Sequence, residues 1–135
     1  MRGLLLDTCA LLSIKGGRMR RSALTALREA AEAGAVFVSP WSAWYIALLA
    51  AKGRLRLAMT PGPFFEAVTD LPGTALAPLT PSVLIGAHCL PGAFPDDPSD
   101  RIIAATAREY GFRIVTRGRA LIAYAQAGHI NVIEC

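Results

Sequence analysis

The sequence predicts an α/β fold, a three-layer α/β/α sandwich with a central parallel sheet. Three observations lead to this fold class. Short, wholly apolar runs, typical of strands buried on both faces, alternate with longer segments of helical periodicity. Serine, threonine or aspartate precedes several of the helical segments, and glycine often follows them. Alternating strands and helices require right-handed crossovers, which place helices on both faces of a parallel sheet.

The first half of the chain contains two predicted strands, each followed by a helical segment. The run GLLL ends at Asp7, and a helix begins at Thr8. The segment SALTALREAAEAG has helical spacing and stops at Gly34. After the strand AVFV, Ser39 caps a helix whose first residue is Pro40.

The second half continues the alternation. A helix is predicted to open at Pro63, TALAP is the third strand, and TPSVLIGAHCL forms a helix with Thr80 as its cap. The longest loop is LPGAFPDDP, which is rich in proline and glycine. The last four elements are predicted to be helix SDRIIAATAREYG, strand FRIVT, helix RALIAYAQAG and strand INVIE. We expect a single domain over residues 1–135.

Composition and charge narrow the class of protein. The chain is 53% hydrophobic and 18% charged, which excludes a disordered chain. No apolar run approaches the roughly 18 to 20 residues of a membrane span, and the N-terminal segment is too short for a secretory signal, so we expect a soluble cytoplasmic protein. The high apolar fraction favours a surface covered by a partner, and a homodimer is expected.

The cysteines and the basic residues indicate no particular kind of site. Cys9, Cys89 and Cys135 are widely spaced and lack a CxxC pattern, which favours reduced thiols over a disulfide framework or a zinc site. The net charge is +4, with basic clusters in residues 15–21 and 52–56. Such clusters are usually solvated surface, but they also suit a phosphate backbone.

Three carboxylates are predicted to meet at the carboxyl edge of the sheet, where ligands bind in parallel sheets. Asp7 follows the first strand, and Asp97 and Asp100 open the helix that leads into the fourth strand, which ends at Thr116. Converging carboxylates favour a cation, and oxygen ligands favour Mg²⁺ or Mn²⁺, which suit phosphodiester hydrolysis. The alternative is that Asp97 and Asp100 only form a turn and a helix cap.

Other motifs are missing or ambiguous. The sequence contains no GxGxxG, GxxxxGK[ST] or GxSxG pattern, which argues against a nucleotide-binding fold and an esterase. Trp41, Trp44 and Tyr45 lie on one helix, and we interpret them as core and interface residues rather than as a platform on which bases stack.

Three blocks of the chain resemble PIN-domain proteins, and most closely the VapC-type toxins of bacterial type II toxin–antitoxin pairs. The blocks are LLLDTCALL, VSPWSAWYIALLAAKGRL and DPSDRIIAATAREYGFRIVTRGRAL. The resemblance covers nearly the whole chain. It implies a PIN-like fold, an endoribonuclease whose four acids bind Mg²⁺ or Mn²⁺, and a cognate antitoxin that lays a helix across a hydrophobic groove.

Within this resemblance, Asp7 matches the first acid of the family and Asp100 the third. Tyr45 stands where a glutamate is expected, and Gly118 where an aspartate is expected. A phenol is neutral at pH 7 and a poor ligand for a hard ion, and glycine offers no side-chain ligand. The resemblance therefore implies a degenerate acidic site with weakened metal binding and weak or lost cleavage.

The remaining residues complete the predicted site. The resemblance implies that Asp97, an extra acid, assists Asp7 and Asp100 as a metal ligand, and that Thr116 orients water or phosphate. Three arginines are expected to bind RNA phosphates: Arg101, Arg117 and Arg119.

Three functions stay open. The first is a VapC-like ribonuclease of reduced activity. The second is a catalytically inactive PIN domain that binds RNA or an antitoxin. The third is a scaffold whose apolar helices only dimerise, and a salt-dependent affinity for RNA would exclude it.

Overall fold

A five-stranded parallel sheet organises the chain. The computed structural model describes residues 3–14 and 18–135. Its strands are β1 (Leu4–Leu6), β2 (Val36–Val38), β3 (Thr74–Leu76), β4 (Arg113–Thr116) and β5 (Asn131–Glu134). They lie in the order β3-β2-β1-β4-β5, and each neighbouring pair is parallel. This arrangement confirms the predicted α/β sandwich.

Helices connect the strands over the described residues. They are α1 (Thr8–Ser13), α2 (Arg21–Glu32), α3 (Pro40–Ala51), α4 (Pro61–Thr69), α5 (Pro81–Gly86), α6 (Pro98–Tyr110) and α7 (Arg119–Gln126). Two of the predicted helix ends are confirmed. Ser39 accepts a hydrogen bond from Trp41 N at the start of α3, and Gly111 ends α6 with a φ of 72°. None of the helices in this part of the chain is long and apolar enough to cross a membrane.

Two helix boundaries differ from the prediction. Helix α4 begins at Pro61 and not at Pro63: its first helical bond runs from Phe64 N to Thr60 O, and both prolines fit the first turn, where an N–H group has no helical acceptor. Helix α5 ends at Gly86 instead of continuing to Leu90. Beyond it the backbone bonds join residues three apart, such as Cys89 N to Gly86 O, which tightens the chain into a turn.

Two apolar cores cover the two faces of the sheet. Successive residues of β1 point to opposite faces, so that Leu4 and Leu6 belong to the core formed with α1 to α4, whereas Leu5 belongs to the core formed with α5 to α7. All three side chains are buried. The uninterrupted leucine run at the start of the chain is therefore explained by burial on both faces.

The direction in which successive strands are added to the sheet reverses between β1 and β4. Strands β1, β2 and β3 progress toward one edge, and β4 and β5 extend toward the other. The carboxyl ends of β1 and β4 therefore flank the crevice in which α/β sheets of this kind bind ligands. Asp7 and Thr116 stand at these two strand ends.

Candidate functional site at the carboxyl edge of the sheet

Asp7 lies at the point of reversal, and the residue is 7% exposed. Its Oδ1 accepts hydrogen bonds from Ala10 N at 3.0 Å and from Cys9 Sγ at 2.8 Å. Its Oδ2 accepts a hydrogen bond from the hydroxyl group of Thr116. The bond from Ala10 also caps α1, so the local fold and the site share this side chain. With donors on both oxygens, Asp7 presents a carboxylate of fixed orientation.

Thr116 joins the ends of β1 and β4. It is 0% exposed, donates its hydroxyl proton to Asp7, and accepts a hydrogen bond from Gly118 N at 2.9 Å. Because the proton is committed to Asp7, the contacts of Thr116 are those of a residue that positions the carboxylate. Its role in orienting water or phosphate stays a prediction.

Gly118 leaves a gap beside these two side chains. A Cβ atom at this position would lie 3.3 Å from Thr116 Oγ1 and 3.8 Å from Asp7 Oδ2. The backbone has a φ of −71° and a ψ of 125°, which any L residue adopts without strain. The fold therefore does not require glycine here, and a longer side chain would enter the site.

Asp97 and Asp100 stand at the start of α6. Asp97 is exposed, and its Oδ1 accepts hydrogen bonds from Ser99 N at 2.7 Å and from Asp100 N at 3.3 Å, so the cap expected as the alternative is present. Burial raises the pKa of Asp100 to about 6, with smaller contributions from the charges of Asp97 and Asp7. The charges of Asp97 and Asp7 therefore disfavour the ionised form of Asp100, and the convergence of all three acids on one ion stays a prediction.

We expect Asp100→Asn to stabilise the folded protein at pH 7 when divalent metal is removed. The pKa of Asp100 rises from 3.8 in the unfolded chain to about 6 in the fold, so the folded state binds the proton more tightly. The free energy of unfolding of the wild type therefore falls as the pH rises from about 4 to about 6 and stays low above that range. After a discount for solvent screening, we expect the variant to gain about 1 to 2 kcal/mol.

Urea unfolding in a chelator at pH 4 and at pH 7 measures this gain. The difference between wild type and Asp100→Asn should be larger at pH 7 than at pH 4. Glu29→Gln, which removes an exposed carboxylate from the last turn of α2, serves as the control and should change stability by less than about 0.5 kcal/mol. A wild type as stable as Asp100→Asn at pH 7 would contradict the expectation.

The first turn of α3 lies between the two acid-bearing segments. The hydroxyl groups of Ser42 and Thr8 are 3.1 Å apart and hydrogen-bonded, and Trp41 Nε1 donates to Ser99 Oγ at 2.8 Å. Tyr45, one turn further along α3, is half-buried. Ser42, Thr8 and Ser99 were not predicted as site residues, because these bonds join residues far apart in the chain and no local pattern marks them.

Cys9 supports the site as a hydrogen-bond donor. Burial, together with the neighbouring charge of Asp7, raises the pKa of its thiol to about 12. The thiol is therefore protonated at neutral pH and donates to Asp7 instead of serving as a nucleophile or a metal ligand. None of the three cysteines forms a disulfide in the structure.

The arginines differ in their freedom to bind a phosphate. Arg101 donates from Nε to Pro95 O at 2.8 Å, and its guanidinium lies 4.7 Å from the centre of the Phe94 ring. These contacts anchor the loop before α6, so Arg101 has a structural role, and its predicted phosphate contact has no support from its geometry. Arg117 and Arg119 are exposed at the end of β4 and the start of α7.

The basic cluster of residues 15–21 is described only in part, since residues 15–17 lie outside the described residues. Arg117 donates to the backbone oxygen of Arg18 at 3.1 Å, which brings the described end of the cluster to the edge that carries Asp7. Arg20 pairs with Glu134 at 3.1 Å, and both side chains are largely exposed. Positive charge therefore borders the carboxylates on the side of β4 and β5.

The side chains present suit a divalent ion only in part. The oxygens of Asp7 and Asp100 are ligands of the kind that Mg²⁺ and Mn²⁺ prefer. Within residues 3–14 and 18–135, however, no group of three or more His, Cys, Asp or Glu side chains is arranged to hold a metal ion. The site fits an ion that keeps most of its water and is held by two carboxylates and a substrate phosphate.

The sequence and the fold were compared with those of known proteins. Residues 4–127 match the family model of the PIN domain. The chain is 34% identical over 116 residues to Ribonuclease VapC22 of Mycobacterium tuberculosis, and the match covers 85% of each protein. A toxin–antitoxin complex from Klebsiella pneumoniae has a TM-score of 0.63 at 18% identity and covers 97% of this chain and 96% of that chain. FitAcB from Neisseria gonorrhoeae has a TM-score of 0.56 at 16% identity, with 96% of both chains covered. At these identities the two structures support the fold alone.

Proposed function

The chain belongs to the PIN-domain family, and on this premise we propose that it is a VapC-like ribonuclease toxin that hydrolyses phosphodiester bonds in RNA. PIN-domain ribonucleases of the VapC type generally depend on a divalent metal ion, and Mg²⁺ or Mn²⁺ is the ion we propose here. One observation carries the proposal: the buried carboxylate of Asp7 is held by Thr116 at the switch point of the sheet, and the first turn of α3 is hydrogen-bonded both to the segment of Asp7 and to the segment of Asp100.

The proposed roles follow from the contacts of each side chain. Asp7 and Asp100 hold the metal ion, with Asp97 assisting from the exposed start of α6. When bound, the ion would activate water and offset the charge that develops on the phosphate. Thr116 positions Asp7 through its hydrogen bond, and Cys9 and Ala10 N fix the other carboxylate oxygen. These contacts hold Asp7 in one orientation before substrate arrives.

We propose that the activity is low. Tyr45 and Gly118 occupy the two positions where acids of the family are expected, and neither supplies a carboxylate. Fewer carboxylates bind the metal ion more weakly and leave more of its coordination to water. At a given metal concentration, a smaller fraction of the protein is therefore loaded.

Partners are proposed on the same premise. RNA phosphates would lie along Arg117 and Arg119, which are exposed beside the site. A cognate antitoxin would neutralise the toxin, and two copies of the chain would form a homodimer. We place the protein in the cytoplasm, where its RNA substrate is found.

A second candidate is a catalytically inactive PIN domain that binds RNA or the antitoxin. It is favoured by the lack of a three-ligand metal group among the residues that the structure describes. Such a protein would bind RNA through the same basic edge without cutting it.

RNA cleavage in Mg²⁺ or Mn²⁺, compared between wild type and Asp7→Asn, separates the two candidates. We expect slow cleavage by the wild type that a chelator abolishes. Asp7→Asn keeps the shape of the side chain and removes its charge, so cleavage should fall by about 10²-fold or more. Asp96→Asn is the matched control, because Asp96 is a fully exposed acid of the neighbouring loop. This variant should cleave RNA at the rate of the wild type. Equal cleavage by wild type and Asp7→Asn would decide for the inactive module.

A further inference from the structure

A pair of stacked tryptophans lies beside the carboxylate site. The rings of Trp41 and Trp44 have their centres 4.7 Å apart and an interplanar angle of 26°. The indole nitrogen of Trp41 donates to Ser99 Oγ at 2.8 Å, and Ser99 precedes Asp100 in the chain. The ring pair is therefore tied by a hydrogen bond to the segment that carries one of the two site carboxylates.

Trp44 is the exposed member of the pair. It is 54% exposed, whereas Ile46, about 200° away around the helix, is completely buried. Of the predicted core or interface role, the core is therefore excluded for Trp44, and an interface role stays a prediction. One face of its ring packs on Trp41, so the exposed area lies on the opposite face and the edges. A large aromatic surface left open beside a polar site is typical of a binding surface.

We propose that Trp44 stacks on a nucleobase of single-stranded RNA whose phosphate lies at Asp7 and Asp100. The inference rests on the proposed RNA substrate and deepens it, because it adds a contact to a base. A strand that places one phosphate between the two acids must carry its neighbouring nucleotides past the adjoining surface. On the side of α6 and α3, that surface is formed by Ser99 and the tryptophan pair.

The geometry favours a base over a protein side chain as the occupant of Trp44. Stacking needs a flat ring held in place, and Trp44 is held by its contact with Trp41, which is in turn fixed by Ser99. Positive side chains border the other flank of the acids, where Arg117 and Arg119 are exposed. A charged flank for phosphates and an aromatic flank for bases form the usual surface for single strands. Paired bases in a duplex hide their faces, so a duplex would gain nothing from Trp44.

The test measures binding of a labelled oligoadenylate with Ca²⁺ in place of Mg²⁺ or Mn²⁺, so that a cation still offsets the charges of the two acids and the phosphate while cleavage is avoided. Trp44→Leu should raise Kd by about tenfold or more, and Trp44→Phe should stay within about threefold of the wild type, since a phenyl ring still stacks. Ile85→Ala is the control: Ile85 is 66% exposed on α5, and its loss should leave Kd unchanged. An oligomer with abasic positions should bind the wild type as weakly as it binds Trp44→Leu.

Three results would overturn the proposal. The first is an equal Kd for wild type and Trp44→Leu. The second is an equal loss on the intact and the abasic oligomer, since the base would then play no part. The third is a Trp44→Leu variant that sediments as a monomer where the wild type is a dimer, with RNA binding that Trp44→Phe does not restore. That result would assign the ring to a contact between copies of the chain.

Failure of this inference can be told apart from failure of the proposed function. RNA binding that depends on Trp44, without metal-dependent cleavage by the wild type, would reject the ribonuclease and support the stacking contact. Metal-dependent cleavage with the same KM in wild type and Trp44→Leu would reject the stacking contact and support the ribonuclease.

Discussion

Tyr45→Glu combined with Gly118→Asp is expected to raise metal-dependent RNA cleavage by about 10²-fold or more at metal concentrations below Kd. The pair supplies the two carboxylates that the family pattern has and this chain lacks. Two unit charges 4 Å apart interact with about 4 kcal/mol at an effective dielectric of 20. If only about 1.4 kcal/mol per added carboxylate survives desolvation, each one strengthens metal binding tenfold, and the two together about a hundredfold.

The backbone at Gly118 is already suited to the substitution. Its φ of −71° is allowed for aspartate, and the new Cβ would lie 3.8 Å from Asp7 Oδ2. The closer approach to Thr116 Oγ1, at 3.3 Å, requires a shift of a few tenths of an ångström in a threonine side chain. Gly118 is also the N-cap of α7 and makes no side-chain cap bond, so an aspartate there can cap the helix as well.

The position of Tyr45 is equally favourable. It lies one turn beyond Trp41, which contacts α6, and three residues beyond Ser42, which contacts Thr8 next to Asp7. A glutamate at this position is carried by the helix that joins both acid-bearing segments. Because the two new acids are counted as independent ligands of one ion, we expect each single substitution to give about half of the logarithmic gain of the pair.

Two measurements check this prediction. In the first, RNA cleavage is followed at several metal concentrations. In the second, thermal unfolding is followed with and without metal. In a chelator, the doubly substituted protein should be less stable than the wild type, because like charges repel one another. At a metal concentration 100 times Kd, binding adds about 2.7 kcal/mol to its stability.

Tyr45→Gln with Gly118→Asn provides the matched control. It has the same shapes and the same cap but no added charge, so it should show neither the metal-dependent stabilisation nor the gain in cleavage. If the control gains as much as the acidic pair, the effect comes from packing or capping, and the account of a charge-depleted metal site fails.

The sequence predicts most of the secondary structure because the signals are local. Apolar runs such as the leucines of β1, caps such as Ser39 and terminators such as Gly111 act within a few residues of where they stand. The helix boundaries at Pro61 and Gly86 were missed, because they depend on where individual backbone bonds form and not on composition.

The candidate site is harder to predict, because its contacts join distant parts of the chain. The acids could be named from strand ends and from the family pattern. The bond between Thr116 and Asp7 spans 109 residues, and that between Trp41 and Ser99 spans 58. No periodicity encodes such pairs. The exposure of Trp44 could not be predicted either. Helix α3 is apolar on all sides, so its sequence does not show which side packs against the core.

Gly73→Ala should destabilise the fold by more than about 4 kcal/mol, the largest loss that we expect from the addition of one methyl group. Gly73 has a φ of 80°, and a Cβ atom there would lie 2.0 Å from the backbone oxygen of Ala31. That oxygen accepts a hydrogen bond from Gly34 N at 3.0 Å at the end of α2, and Gly73 O accepts one from Val36 N at 3.1 Å in β2. The methyl group therefore meets backbone that is bonded on both sides and has no flexible side chain to move aside.

Gly34→Ala separates this clash from ordinary backbone strain. Gly34 has a similar φ of 68°, but an added Cβ would have no atom within 4 Å. Its substitution should therefore lower the free energy of unfolding by only about 1 to 2 kcal/mol, the cost of placing an alanine in the left-handed region. Urea unfolding of both variants, with m-values checked for two-state behaviour, measures the difference. Equal losses would mean that the end of α2 moves away from Gly73 at little cost, and that the contact between α2 and the turn before β3 adds little to the stability of this edge of the sheet.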